Sequence, residues 1–220
     1  MLSIKSYPRF FLTAWNRSSH ILSLPYRVYL SLADSSQIMY YLPMRLSMLW
    51  IFRKKEKKGA LALKLDIGKA YNRVEWPFLH SMMVKLGFPE KWIKWVMECV
   101  RSPSYSIMIN GKPYGHLQPS RGICQGDPLS PYLFLLCAEG FTFLLEKAKM
   151  ERQISGVSIC KSASKITNLL FADDSLLFCQ SIQSEVTVII EILQVYVGAS
   201  GQSINLEKSL VYFSSNTPSG

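Results

Sequence analysis

The chain has 220 residues and 49% hydrophobic composition, which excludes a disordered protein and allows one sizeable core or one and a half domains. Lys and Arg outnumber Asp and Glu 25 to 15, unevenly: residues 1–59 carry ten basic and two acidic side chains, residues 60–220 fifteen and thirteen. That polarity suits a polyanionic partner, nucleic acid before an anionic membrane, although a solvated basic tail has the same composition.

Five cysteines, odd in number, widely spaced and without a C-x-x-C pair, indicate neither a disulfide framework nor a zinc site, and they fit a reducing intracellular compartment, nuclear or cytoplasmic. Residues 1–33 hold Lys5, Arg9, Arg17, Arg27, several serines and no acid, a composition shared with organelle targeting segments, so a mitochondrial location stays open. The apolar-leaning stretches Tyr40–Phe52 and Leu133–Leu145 are interrupted by Arg45 and Glu139 and are too short for a membrane span.

Residues 1–52 show no period of 2 or 3.6 and are broken by Pro8, Pro25 and Pro43, so they read as an irregular segment. The basic run RKKEKKG, 53–59, opens the legible part of the chain. ALALKLDI, 60–67, reads as a buried strand ending at Asp66. Pro77 opens a helix with Phe78, Leu79, Met82, Met83 and Leu86 on one face and Gly87 at its end. Pro89 opens a second, with Trp92, Ile93, Val96 and Val100 on one side. SYSIMINGKPYG predicts a hairpin turning at Asn110-Gly111. The loop RGICQGDPLSP, 121–131, leads into a helix through about Lys149, apolar on most sides. LLFADDSLLF, 169–178, reads as two short strands folded back on each other, and a helix near 183–197 precedes SGQSINLEKSLVYFS, 200–214. Strands and helices mix without regular βαβ alternation, which predicts an α+β fold, an antiparallel sheet covered by helices.

Asp173 and Asp174 stand in an otherwise apolar hairpin. Two carboxylates about 4 Å apart repel by roughly 4 kcal/mol at an effective dielectric near 20, so they need a cation, a shared proton or open solvent. Asp is also an ordinary turn residue, and the pair alone leaves both readings open. If the strand ending at Asp66 neighbours this hairpin, three carboxylates converge. Hard oxygen donors without His or Cys favour Mg²⁺ or Mn²⁺, and two such ions suit in-line phosphoryl displacement.

ALKLDIGKAYNRVEWPFL (62–79), NGKPYGHLQPSRGICQGDPLSPYLF (110–134), LLFADDSLLF and SGQSINLEKSLVYFS, in that order, resemble the palm motifs of reverse transcriptases of LINE-type, non-LTR retrotransposons, especially the plant lineage. The resemblance covers roughly 53–215 and implies a right-hand polymerase palm with partial fingers and no thumb, residues 216–220 being a tail. It implies that Asp66 and Asp173 bind two Mg²⁺ or Mn²⁺ ions with Asp174 beside them. Tyr71 matches the aromatic gate at the sugar 2′ position, with a packing tyrosine as the alternative. Gln125 and Gly126 match the loop beneath the incoming nucleotide. Lys208 matches a proton donor to pyrophosphate, a surface lysine being the alternative. Arg53, Lys54, Lys55, Lys57 and Lys58 would neutralise nucleic-acid or triphosphate charge, unless they are simply a solvated run.

The implied function is RNA-directed DNA synthesis, with an RNA template, a DNA primer and deoxynucleoside triphosphates as partners. The chain departs from the family pattern at Gly68, at Asn72 where a second Asp is usual, at Cys124 where Arg precedes QG, and at Asn168 where His is common. A non-catalytic nucleic-acid-binding protein or an inert retrotransposon remnant is the competing reading, and an organellar intron maturase a third.

Overall fold

Leu61, Ala62 and Leu65 of β1 (Ala60–Asp66) are buried. Burial on both faces is what an inner strand requires, and β1 is one. It pairs antiparallel with β7 (Asp174–Gln180) on one side and with β8 (Leu210–Phe213) on the other. With β6 (Asn168–Phe171) beyond β7, the four-stranded sheet runs β6-β7-β1-β8. In β7, Ser175 to Cys179 are all buried, so its apolar run marks a strand enclosed on both faces. Phe171 faces Asp174 in the β6–β7 register, which makes the expected tight hairpin. The computed structural model describes residues 59–158, 165–171 and 174–217 of the protein. The segment 1–52 and the basic run after it lie outside the described residues.

The chain divides into two compact units. The first comprises Ala70–Cys137 with Ala199–Gly201, the second 59–69, Ala138–Gly198 and 202–217. In the first, α1 (Trp76–Lys85) begins with Pro in its opening turn, where a missing N–H costs nothing. It ends at Gly87, whose φ of 76° suits the glycine that closes a helix. Leu79 and Met83, one turn apart, are fully enclosed, whereas Phe78, Met82 and Leu86 of the expected face are only half-buried. Helix α2 (Glu90–Arg101) packs on α1 and buries Ile93, Val96 and Met97; Trp92 and Val100 sit at the border of that face. A period of 3.6 gives the face, but how wide it is depends on the partner helix.

The hairpin of β2 (Tyr105–Ile109) and β3 (Lys112–Leu117) turns at Asn110 (φ 48°) and Gly111 (φ 77°), the two positive angles a tight strand reversal needs. All of its residues are exposed. Helix α3 (Ser130–Met150) follows and buries Leu133, Phe134, Leu136, Cys137, Phe141, Leu145 and Ala148, while Phe143 and Met150 face out, so it is less enclosed than its composition suggests.

In the second unit, Phe141 of α3 stacks on Tyr196 of α4 (Gln183–Ser200) with centroids 4.9 Å apart. The short pair β4 (Val157–Ser158) and β5 (Lys165–Ile166) adds Val157 to a cluster with Ala62, Leu176 and Phe178. Buried Glu185 accepts a hydrogen bond from the Gln180 N–H at 2.9 Å and another from Ser155 Oγ, joining the end of β7 to the start of α4. Strands and helices together form an α+β architecture built on an antiparallel sheet. Among the described residues no helix is long and apolar enough to cross a membrane.

Candidate active site

In the second unit, the β1–β7 register sets Asp66 directly opposite Asp174. The end of β1 therefore meets the start of β7, and Asp173 immediately precedes that start in the sequence. Asp173 itself lies outside the described residues. A third segment is tied to this end of the sheet. The Asp66 N–H donates to Ser209 Oγ at 3.2 Å, and the Asp66 carbonyl accepts from the Asn205 N–H at 2.8 Å. Ile67 pairs with Ile204, and the Gly68 N–H donates to the Ser203 carbonyl at 2.9 Å. Asn205 holds its own turn: Oδ1 takes the Glu207 N–H, and the carbonyl takes Ser209 Oγ at 2.7 Å. Exposed Lys208 is thus carried on a turn anchored to the backbone of Asp66.

Asp66 ends β1 with a carboxylate, and the neighbouring register pair of Leu65 and Ser175 brings no imidazole or thiol, a composition of the hard-oxygen kind. Among the described residues no three such groups converge, the third acid of the sequence being Asp173.

The first unit holds Tyr71, Gln125 and Gly126. Tyr71 stacks on Phe134 with centroids 5.0 Å apart and planes at 23°, which fixes its ring. Its carbonyl accepts the Ile123 N–H at 2.9 Å, and the Gly122 N–H donates to the Val74 carbonyl at 2.8 Å, so the loop before Gln125 is laced to the segment after Tyr71. A Cβ at Gly122 would lie 2.7 Å from the Asn72 carbonyl oxygen, at a φ of 87°. Trp76 Nε1 donates to the Gly122 carbonyl at 2.7 Å, and Asp127 Oδ1 accepts the Leu129 N–H at 2.7 Å ahead of α3.

Gly126 has a φ of 96° and open space where a Cβ would stand. Glycine is needed there for the backbone angle, and no described residue crowds it. Gln125 and Gly126 are exposed, and Gln125 lines a cavity of about 440 Å³ together with Asn72, Cys99, Tyr105, Cys124 and Asp127. Cys124, at the position where an arginine is usual, meets the Tyr105 hydroxyl, and that contact raises the Tyr105 pKa. Burial first, then the Asp127 charge, raises the Cys99 thiol.

Arg53, Lys54, Lys55, Lys57 and Lys58 lie outside the described residues. Gly122, Trp76 and Phe134, which hold the loop and the Tyr71 ring, were not singled out from sequence. The glycine two residues before Cys124 in an ordered loop was the available signal for the first.

The family profile described as reverse transcriptase (RNA-dependent DNA polymerase) matches residues 23–217. The Pol polyprotein of the type-1 retrotransposable element R2 of Popillia japonica is 27% identical over 156 residues, 71% of this chain and 25% of the relative. The uncharacterized 149 kDa protein of transposon TX1 from Xenopus laevis is 29% identical over 158 residues, 72% of this chain and 12% of the relative. An uncharacterized mitochondrial protein of Arabidopsis thaliana is 46% identical over 69 residues, 31% of this chain and 57% of that one. The chain therefore spans a quarter or less of the two transposon proteins and just over half of the plant one. Among solved structures, telomerase from Candida tropicalis in complex with a fragment of telomeric RNA superposes with a TM-score of 0.58 at 12% identity, over 92% of this chain and 33% of that one. Candida albicans telomerase gives 0.55 at 16%, over 89% and 33%. The likeness to telomerase is one of fold, and the profile match over most of the length decides the family: the chain belongs to the reverse transcriptases (RNA-dependent DNA polymerases), alongside those of non-LTR retrotransposons.

Proposed function

We propose that this chain carries the catalytic palm of an RNA-directed DNA polymerase, extending a primer 3′-hydroxyl with deoxynucleoside triphosphates on an RNA template. The observation that supports it most is the register that sets Asp66 against Asp174 beside the Asp173 turn. In the reaction the 3′-hydroxyl gives up its proton to solvent as its oxygen attacks the α-phosphorus, a P–O bond forms, and the bond from the α-phosphorus to the oxygen of the β-phosphate breaks to release pyrophosphate. Asp66, Asp173 and Asp174 would hold two Mg²⁺ or Mn²⁺ ions. Bound there, the ions supply Lewis-acid stabilisation of charge on the attacking and leaving oxygens. Lys208, on its anchored turn, is placed by this reading to give a proton to pyrophosphate. Tyr71, its ring held by Phe134, screens the sugar 2′ position. Gln125 and Gly126 support the base and sugar of the incoming nucleotide, Gly126 through the open backbone above it.

Cys124 and Asn72, which replace a charged side chain in each case, favour the second reading, a nucleic-acid-binding palm without catalysis. Primer extension on an RNA template with deoxynucleotides and Mg²⁺ or Mn²⁺ separates the two. Extension by the parent and none by Asp173→Asn is expected. Absence of extension by a folded parent that still binds RNA would leave only the binding function.

A further inference from the structure

Helix α2 carries a feature that neither the acidic end nor the nucleotide loop uses. Trp95 is 50% exposed although tryptophan is costly to leave in water. Its ring is held in place on two sides: Trp92, half-buried, meets it edge-on with centroids 5.8 Å apart and planes at 65°, and Lys91 Nζ sits 5.0 Å from its centroid. Lys94 and Arg101, both exposed, add cations along the same helix, against Glu90 and Glu98. The wider unit is also basic, residues 70–137 carrying seven Lys and Arg against four Asp and Glu.

The position of this indole gives it a direction. Lys91, Trp95 and Cys99 follow one another at intervals of four residues, so they line one flank of α2 at a rise of about 6 Å per step. Cys99 is in the wall of the 440 Å³ cavity that Gln125 also lines. The flank therefore leads from a cation, over a fixed aromatic ring, to the cavity beside the nucleotide loop.

We infer that the Lys91–Trp95–Lys94 face of α2 is a stacking platform for single-stranded RNA, on which one base lies against the open part of the Trp95 ring while Lys91 and Lys94 meet the flanking phosphates. This rests on the reading of the chain as an RNA-handling polymerase palm and adds to it a contact outside the loop and the acids. A rigid aromatic with adjoining cations suits a single strand, because every base offers a π-face and every linkage a charge. An apolar protein partner would be served poorly by a ring bracketed with lysines.

The test is fluorescence-anisotropy titration of a labelled oligouridylate about 16 nucleotides long against the full chain, over a series of salt concentrations. Trp95→Ala is expected to weaken binding by about 5- to 100-fold, as loss of one stacked base does, and Trp95→Phe to recover most of it. Lys94→Gln is expected to lower the slope of log K against log salt by about 0.7, the value for one phosphate on a single strand. Thermal melts control for folding; at exposed positions they should not move. Trp95→Ala binding as tightly as the parent overturns the inference and leaves the polymerase reading untouched. A parent that binds no single-stranded RNA overturns it too, and primer extension then reports separately on the polymerase reading.

Discussion

Gly122 shows how much a single position in this fold depends on a neighbour distant in sequence. Its φ of 87° and the Asn72 carbonyl 2.7 Å from a would-be Cβ leave no room for a side chain. Gly122→Ala is expected to cost about 2–3 kcal/mol, from the left-handed backbone angle and the forced shift of Asn72 together. Urea denaturation measures it, and a cost below a few tenths of a kcal/mol would show that the loop yields freely. Tyr71 is argued from both its packing and its proposed role. Tyr71→Ala removes the stack on Phe134 and is expected to raise ribonucleotide use relative to deoxynucleotide use, with Tyr71→Phe close to the parent. Unchanged sugar selectivity in Tyr71→Ala would make it a packing residue. Asp66, Tyr71, Gln125 and Gly126 stand out in sequence as candidates because each lies in a short ordered block. Gly122 was not, because its partner Asn72 is fifty residues away and becomes visible only when the two backbones meet.

At the scale of elements, local chemistry did most of the specifying. Pro in the first turn of α1, Gly87 after its end and Asn110-Gly111 between β2 and β3 each act through backbone angles that do not depend on the rest of the molecule. Helix faces were less legible: Phe78 and Met82 have the right spacing, but α2 covers only part of that side. Leu79→Ala, at a fully buried position, is therefore expected to cost about 2–5 kcal/mol, while Phe78→Ala, at the half-buried edge, costs less. Equal losses in denaturation would contradict that ranking.

Cys137 in α3 gives the element a pH signature. Burial raises its thiol from 9.0 to about 12, so the folded state keeps the proton that the unfolded chain gives up. The stabilisation is complete below about pH 9 and is lost as pH climbs towards about 12. Thermal melts from pH 8 to pH 11 should fall more steeply for the parent than for Cys137→Ala, about the range in which a buried thiol and a free one differ. Parallel curves would remove the thiol from the account.

For the molecule as a whole, the order of four sequence blocks pointed to the family, and the sheet shows what brings three of them together. The first and third blocks supply the adjacent strands β1 and β7. The fourth supplies the turn that closes on Asp66 and then β8, the strand on the other side of β1. The division into two units was not legible, since α3 and α4 each run from one to the other without any break in composition. The central claim is that Asp66 and the Asp173 turn form one catalytic centre. A double-mutant cycle in primer extension tests it most directly, using Asp66→Asn, Asp173→Asn and the pair, each checked for folding by thermal melt. Groups acting as a unit are non-additive, so each single change should lower the rate by about 10³-fold or more and the pair should lose little beyond either. Single variants that retain extension, or losses that multiply in the pair, would contradict it.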